Sequence, residues 1–253
     1  MRLVDGAGSN EPMAENSMQA VILAGGLGTR MRPITETVPK PMITVAGKPF
    51  LRHQLELLSE AGIERALLLV AYLGEQIQEY FGDGAKFGCD ISYSFEPSPL
   101  GTGGALKNAE AQLQDDFVLV NGDTYLGIDY RGLAKEFAEA DCSALIVAYE
   151  RPGIVSQNVP ASGLPNNLGV DRDRIVTAYR KRNPEGLSHI DAGVVVLKKE
   201  ILAGLRAGQK CSLEEEIYPS LIERGEMRAW MTHEPFYDMG SPAGLAALEE
   251  KLK

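Results

Sequence analysis

One short segment, Leu23 to Met42, gathers glycines, an arginine and a Pro-Lys-Pro triplet. Gly25, Gly26 and Gly28 let the backbone approach a ligand and turn N–H groups towards it. Such a nest suits a triphosphate. Arg30 adds a planar fork of donors for phosphate oxygens. Lys40 lies between Pro39 and Pro41, which fix the backbone on both sides and so hold its charge in place. Two other phosphate loops fit less well. A Walker loop needs Lys-Ser or Lys-Thr after its last glycine, and a dinucleotide fingerprint needs a third glycine where Thr29-Arg30-Met31 stands. A plain Gly-rich turn would explain the glycines but not the spaced cations.

Two aspartates stand out by context. Asp123 follows the apolar run Val118-Leu119-Val120 through Asn121-Gly122, at the carboxyl end of a buried strand. Asp238 precedes Met239-Gly240-Ser241-Pro242, a turn before the last helix. A hard dication such as Mg²⁺, bound with a triphosphate, needs only one or two carboxylates. Taken singly, each aspartate also suits a cap or turn. A second Gly-rich turn, Glu96 to Gly104, includes Pro99, Gly101 and Thr102. Its N–H groups suit a phosphate or a base edge, although a helix start of any kind can read this way.

The elements that would position these residues alternate. Buried strands are expected over 19–24, 65–71 and 116–120, a short alternating strand over 91–95, and helices over 50–61, 74–81 and 103–112. This spacing implies βαβ units and an α/β, doubly wound, mostly parallel sheet, with ligands beyond the carboxyl ends of the strands. Later, helices are expected over 133–140, 213–224 and 242–252. Strands are expected over 144–150, 190–197 and 227–232, with a short pair at 169–171 and 175–179. No internal repeat or low-complexity linker interrupts the pattern. Residues 18–253 read as one domain, with a first half over about 18–130 and a second half over about 131–253 that covers the substrate end of the sheet. Residues 1–17 read as a disordered extension without the apolar core of a signal peptide.

Composition excludes some classes. A formal net charge of -10 argues against a nucleic-acid surface, which would be basic. No apolar run is long enough for a membrane helix. Cys89, Cys142 and Cys211 are widely spaced and form no even disulfide set, which points to a reduced cytoplasm.

The run from Gly25-Gly26 through Gly28-Thr29-Arg30-Met31 to Pro39-Lys40-Pro41-Met42 resembles the signature of sugar-1-phosphate nucleotidyltransferases. The resemblance extends from Met18 to about Lys253. It implies a Rossmann-like fold with a small sugar-binding extension, a nucleotide-binding half over about 18–130, a sugar-binding half over about 131–253, and a nucleotide held by Leu23, Ala24, Gly25, Gly26, Gly28 and Thr29. Arg30 would stabilise departing pyrophosphate, and Lys40 would contact the phosphates at the reacting centre. Gly122-Asp123 looks like the family's metal-binding pair, and Asp238-x-Gly240 like its second metal ligand. The turn with Glu96, Pro99, Gly101 and Thr102 looks like its nucleoside-contacting loop. It is closest to guanylyltransferases acting on heptose or mannose 1-phosphates. A uridylyltransferase branch acting on N-acetylmuramate 1-phosphate has a similar layout, and a thymidylyltransferase is a further option.

One departure concerns the sugar. Tyr179-Arg180-Lys181-Arg182 occupies the place where many relatives carry a Glu-Lys pair, leaving Lys181 or Arg182 for the sugar phosphate and no glutamate for a hydroxyl. Asp191 stands where the family has Asn, and Gly169 would let the sugar near the backbone. The expected reaction is direct attack of a sugar-phosphate oxygen on the α-phosphorus. That nucleophile is already an anion and needs no base, so His53, His189 and His233 are not required. A silent regulatory member would have lost Arg30, Lys40, Asp123 or Asp238, and all are present. A simple nucleotide-binding module would need neither the second carboxylate nor the sugar-facing half. The oligomeric state stays open, a homodimer among the options.

Overall fold

The computed structural model describes residues 18–151, 164–181 and 185–253. The extension expected at 1–17, and Arg182, lie outside the described residues.

The first half runs β1 (Gln19–Leu23), β2 (Thr44–Val45), β3 (Lys48–Pro49), α1 (Phe50–Glu60), β4 (Arg65–Val70), α2 (Gly74–Phe81), β5 (Asp90–Phe95), α3 (Gly101–Asn108) and β6 (Asp116–Asn121). The second runs β7 (Thr124–Leu126), α4 (Tyr130–Glu139), β8 (Ala144–Tyr149), β9 (Leu168–Val170), β10 (Val176–Tyr179), β11 (Ile190–Lys198), α5 (Tyr218–Glu223), β12 (Met227–Thr232), β13 (Phe236–Asp238) and α6 (Pro242–Lys251).

Seven strands form the main sheet in the order β12-β8-β11-β6-β1-β4-β5. β1 is apolar from Ala20 to Leu23 because it sits between parallel neighbours with helices over both faces. Alternate residues of one strand point to opposite layers. Ala20 and Ile22 pack with Leu55 of α1, Phe81 of α2 and Leu133 of α4. Val21 packs with Leu106 of α3 and Leu221 of α5. Each large side chain removed from water in this way contributes about 1.5–3 kcal/mol. The expected doubly wound, mostly parallel α/β fold is present. The antiparallel member is β11, which pairs with both β6 and β8.

The order of strands reverses at β1. The chain moves to β4 and β5 on one side and resumes with β6 on the other, leaving Leu23 and Asn121 paired at the carboxyl ends. A crevice at that switch point is where open α/β sheets take ligands. A third apolar cluster, with Met31, Ile43, Phe50, Tyr237, Met239 and Leu248, fastens α6 beside this end of the sheet. Ser241 caps α6 by accepting a hydrogen bond from Gly244 N at 3.1 Å, and Pro242 occupies its first turn.

The 213–224 segment is not one helix. A five-residue π turn, Leu213–Ile217, precedes α5. No helix among the described residues is long and apolar enough to cross a membrane.

Candidate active site

The Gly-rich loop leaves β1 with its first residue still in the sheet, since Ala24 N donates to Leu69 O at 2.8 Å. Beside it, Gly122 N donates to Leu23 O at 3.1 Å. A Cβ at Gly122 would overlap that same carbonyl, so only glycine lets the two strand ends touch. Gly28 has φ +59°, and a Cβ there would lie 2.8 Å from Thr35 Cγ2 and 3.2 Å from Lys40 Cβ. The Thr35 hydroxyl donates to Gly28 O at 2.9 Å, folding the loop back on itself. Lys40 then enters a short 3-10 turn, Lys40–Met42, after an extended Pro39. Its side chain is buried, and Nζ meets Asp123 Oδ2 at 2.5 Å.

Asp123 and Asp238 come from residues far apart in the chain and meet through a small sheet. β13 pairs antiparallel with β7, setting Asp238 opposite Thr124, and Met239 N donates to Asp123 O at 3.0 Å. Both aspartates line one cavity of about 300 Å³. Gly240 N donates to Asp238 Oδ1 at 2.7 Å. A Cβ at Gly240 would stand 2.6 Å from Arg30 Nη2, so the guanidinium packs on that glycine beside the Asp238 carboxylate. Among the described residues no group of three or more His, Cys, Asp or Glu surrounds a metal position. Two carboxylates with oxygen-only donors nevertheless fit a hard dication that takes its remaining ligands from phosphate and water.

Three cavities adjoin along the sheet end. The largest, about 480 Å³, is lined by Gly25, Gly26, Tyr72, Glu96, Pro99 and Gly101 among others. The second, about 260 Å³, shares Leu23, Gly26 and Thr102 with it and adds Lys40, Gly122 and Asp123. The third shares Asn121, Asp123 and Glu214 with the second and adds Tyr179, Lys181, Asp191 and Asp238.

Some expected residues also serve the frame. Glu96 ties the two Gly-rich turns: Oε2 accepts from Leu100 N at 3.0 Å, and Oε1 lies 2.8 Å from where a Gly25 Cβ would be. Burial pushes its carboxyl up, against the Leu100 hydrogen bond. The Thr102 hydroxyl donates to Glu214 Oε2 at 2.8 Å and accepts from Leu213 N at 2.9 Å. Thr29 and Arg30 are exposed and outside the residues lining the three cavities. Gly169 is also outside them. A Cβ there would meet Thr177 Oγ1 at 2.8 Å, on its own hairpin partner β10. None of the three histidines lines these cavities. His53 Nε2, for example, is bonded to Val45 O at 2.8 Å.

Asp191 is at the third cavity with its oxygens engaged. Gly193 N donates to Oδ1 at 2.8 Å and the Tyr179 hydroxyl to Oδ2 at 3.0 Å. Burial pushes its carboxyl up to about 6. Gly193, Tyr179 and Lys181 oppose the rise, and Glu214 adds to it.

Residues 19–162 match the family described as Nucleotidyl transferase. The match covers more than half of the chain. The chain belongs to this nucleotidyl transferase family. It is 34% identical over 234 residues to a mannose-1-phosphate guanylyltransferase of Mycobacterium tuberculosis, covering 91% of this chain and 63% of that protein's length. It is 34% identical to a D-glycero-alpha-D-manno-heptose 1-phosphate guanylyltransferase of Campylobacter jejuni, covering 89% of this chain and 96% of that one. Among solved structures, HddC from Yersinia pseudotuberculosis complexed with GMP-PN is 30% identical, with a TM-score of 0.78. That match covers 93% of this chain and all of the other.

In this nucleotidyl transferase three site features escaped the sequence reading. Gln54, on the buried stripe of α1, donates through Nε2 to Asn121 O at 2.9 Å and Thr124 O at 2.7 Å, bracketing Gly122-Asp123. A polar residue on an otherwise apolar helix face was the available signal. Asn121 lines two of the cavities, one residue before the glycine. Glu214, read as part of a helix, lines both as well.

Proposed function

We propose that this chain, as one domain over 18–253, transfers GMP from GTP to a heptose- or mannose-type sugar 1-phosphate and releases pyrophosphate, with Mg²⁺ as its dication. The observation that carries this reading is the continuous run of three cavities, with Lys40 and Asp123 at the middle one and Asp123 shared with the third, which Asp238 also lines. A nucleoside fits the first, its phosphates reach Lys40, and a sugar 1-phosphate fits the third.

The chain's own residues do the positioning. The backbone of Gly25, Gly26 and Gly28 takes the triphosphate, Lys40 neutralises charge where the α-phosphate is attacked, and Arg30 meets the departing pyrophosphate. Lys181 reaches the sugar phosphate. Asp123 and Asp238 would hold the dication, which would supply charge neutralisation across the reacting phosphates when bound. The incoming phosphate oxygen is already anionic, so the reaction needs alignment and not a proton acceptor. The buried free cysteines fit a reduced cytoplasm.

The test is pyrophosphate release with Mg²⁺, using GTP, UTP, dTTP, ATP and CTP in turn. Each is paired with the 1-phosphates of mannose, glycero-manno-heptose, glucose and N-acetylmuramate. Highest kcat/KM for GTP with a manno-configured sugar supports the reading. Preference for UTP with N-acetylmuramate 1-phosphate replaces it with the uridylyltransferase reading, and no release from any pair removes it.

A further inference from the structure

The third cavity holds a carboxylate that the proposed reaction leaves without work. Glu214 sits in the π turn Leu213–Ile217, and its side chain is 16% exposed. π turns insert a residue into the helical ladder and re-aim the side chains around it. Ser212 secures this one. Its hydroxyl accepts from Glu215 N at 3.2 Å, and its own N–H donates to Glu216 Oε1 at 2.8 Å.

Glu214 is held ionised and oriented. The Thr102 hydroxyl reaches Oε2 at 2.8 Å, the Ser212 hydroxyl at 2.7 Å, and Lys181 Nζ at 3.3 Å. Burial raises its carboxyl, yet these donors, with its own backbone N–H, outweigh it and leave the group below the usual range. All three side-chain donors converge on Oε2. No other residue among the described ones donates to Oε1, on a side chain that lines both the phosphate cavity and the sugar cavity. A fixed anion with one oxygen to spare is an acceptor for hydroxyl groups.

We propose that Glu214 accepts hydrogen bonds from a sugar hydroxyl and, with Lys181 on the phosphate, sets which sugar 1-phosphate is taken. This inference rests on the proposed reaction. A polar group built to meet a hydroxyl discriminates strongly against a ligand lacking it, because the buried acceptor is left unpaired.

The experiment compares wild type with Glu214→Gln. The substrate is whichever sugar 1-phosphate the wild type turns over best, together with its monodeoxy analogues. For one analogue, wild-type kcat/KM falls tenfold or more, chiefly through KM, whereas E214Q loses less than threefold. A merely structural role would lower the variant's activity on parent and analogues alike and keep their ratio at the wild-type value. That result overturns the inference, as does a wild type indifferent to every deoxy position. If E214Q lacks a cooperative thermal transition, Glu214→Asp is read in its place, because withdrawing the carboxylate by one methylene should also flatten the ratio. No pyrophosphate from wild type with any sugar removes the proposed reaction and this inference together, a result distinct from an unchanged ratio.

Discussion

Lys40 Nζ rests 2.5 Å from Asp123 Oδ2, joining the clamped end of the Gly-rich loop to the carboxyl end of β6. Across this contact each charge neutralises the other. In the proposed reaction both change partner: Lys40 turns to phosphate and Asp123 to the dication. The pair therefore joins two groups with separate tasks. Asp123→Asn should lower kcat at least about a hundredfold. Asp123 is about one-third exposed, so its thermal transition should stay near that of wild type. Lys40→Met should lose activity on the same scale. Pyrophosphate-release kinetics beside thermal unfolding check both. Normal turnover by folded D123N would remove Asp123 from the metal position.

Gly122→Ala tests the contact between strand ends. The added methyl would meet Leu23 O and lie 3.3 Å from Ala24 Cα, and backbone atoms cannot rotate away as a side chain can. β1 and β6 would have to part at the switch point. Overpacking of this kind costs about 1–3 kcal/mol, and here it also shifts Asp123 against the loop. The variant should unfold at lower denaturant and lose turnover together. Gly26→Ala is the control, because no atom lies within 4 Å of its Cβ position. It should leave stability nearly unchanged while raising the KM for the nucleotide.

Local pattern made the first half of the fold legible. The expected helix at 74–81 coincides with α2, and β1, β4 and β6 fall within a residue of their expected limits. Continuous apolar runs mark central strands because both faces are covered. Strand direction leaves no such mark. β11 carries a continuous apolar run, Val194 to Leu197, like the strands on either side of it, and its reversed course is set by antiparallel pairing with β6 and β8. β7 and β13 have three residues each and exist through pairing across a long stretch of chain. For the site, Asp123 and Asp238 were readable because turns and strand ends announce themselves. Glu214 was not, since the π turn imitates a helical repeat until tertiary contacts re-aim it.

Gln54→Leu tests how the Asp123 loop is held. The neighbours of the side-chain amide are two carbonyl oxygens, so its NH₂ must face them. Leucine would leave Asn121 O and Thr124 O without this donor in a site where Gln54 is 2% exposed. A buried acceptor stripped of its partner costs about 1–3 kcal/mol. Denaturant midpoints should fall accordingly. The carboxylate of Gln54→Glu would face the same two oxygens and should destabilise more as pH rises from 5 to 8. Equal stability of the two variants at all pH values would show that the amide does not hold the loop.

Asp191 gives the protein a pH dependence whose sign is fixed by its carboxyl. The group titrates near 6 in the fold against an ordinary 3.8, with burial as the main cause. Between those values the folded chain keeps a proton that the unfolded chain releases. Stability from this site is therefore present below about pH 4 and is lost as pH rises through about 6. Asn in place of Asp keeps an oxygen for Gly193 N and carries no charge to bury. Asp191→Asn should therefore unfold at a higher temperature than wild type at pH 7.5, and the gap should close towards pH 4.5. Thermal melts of both proteins across that range give the difference curve and cancel the titration of every other carboxylate. A gap independent of pH, or one that widens in acid, would mean that burial does not disfavour the ionised Asp191.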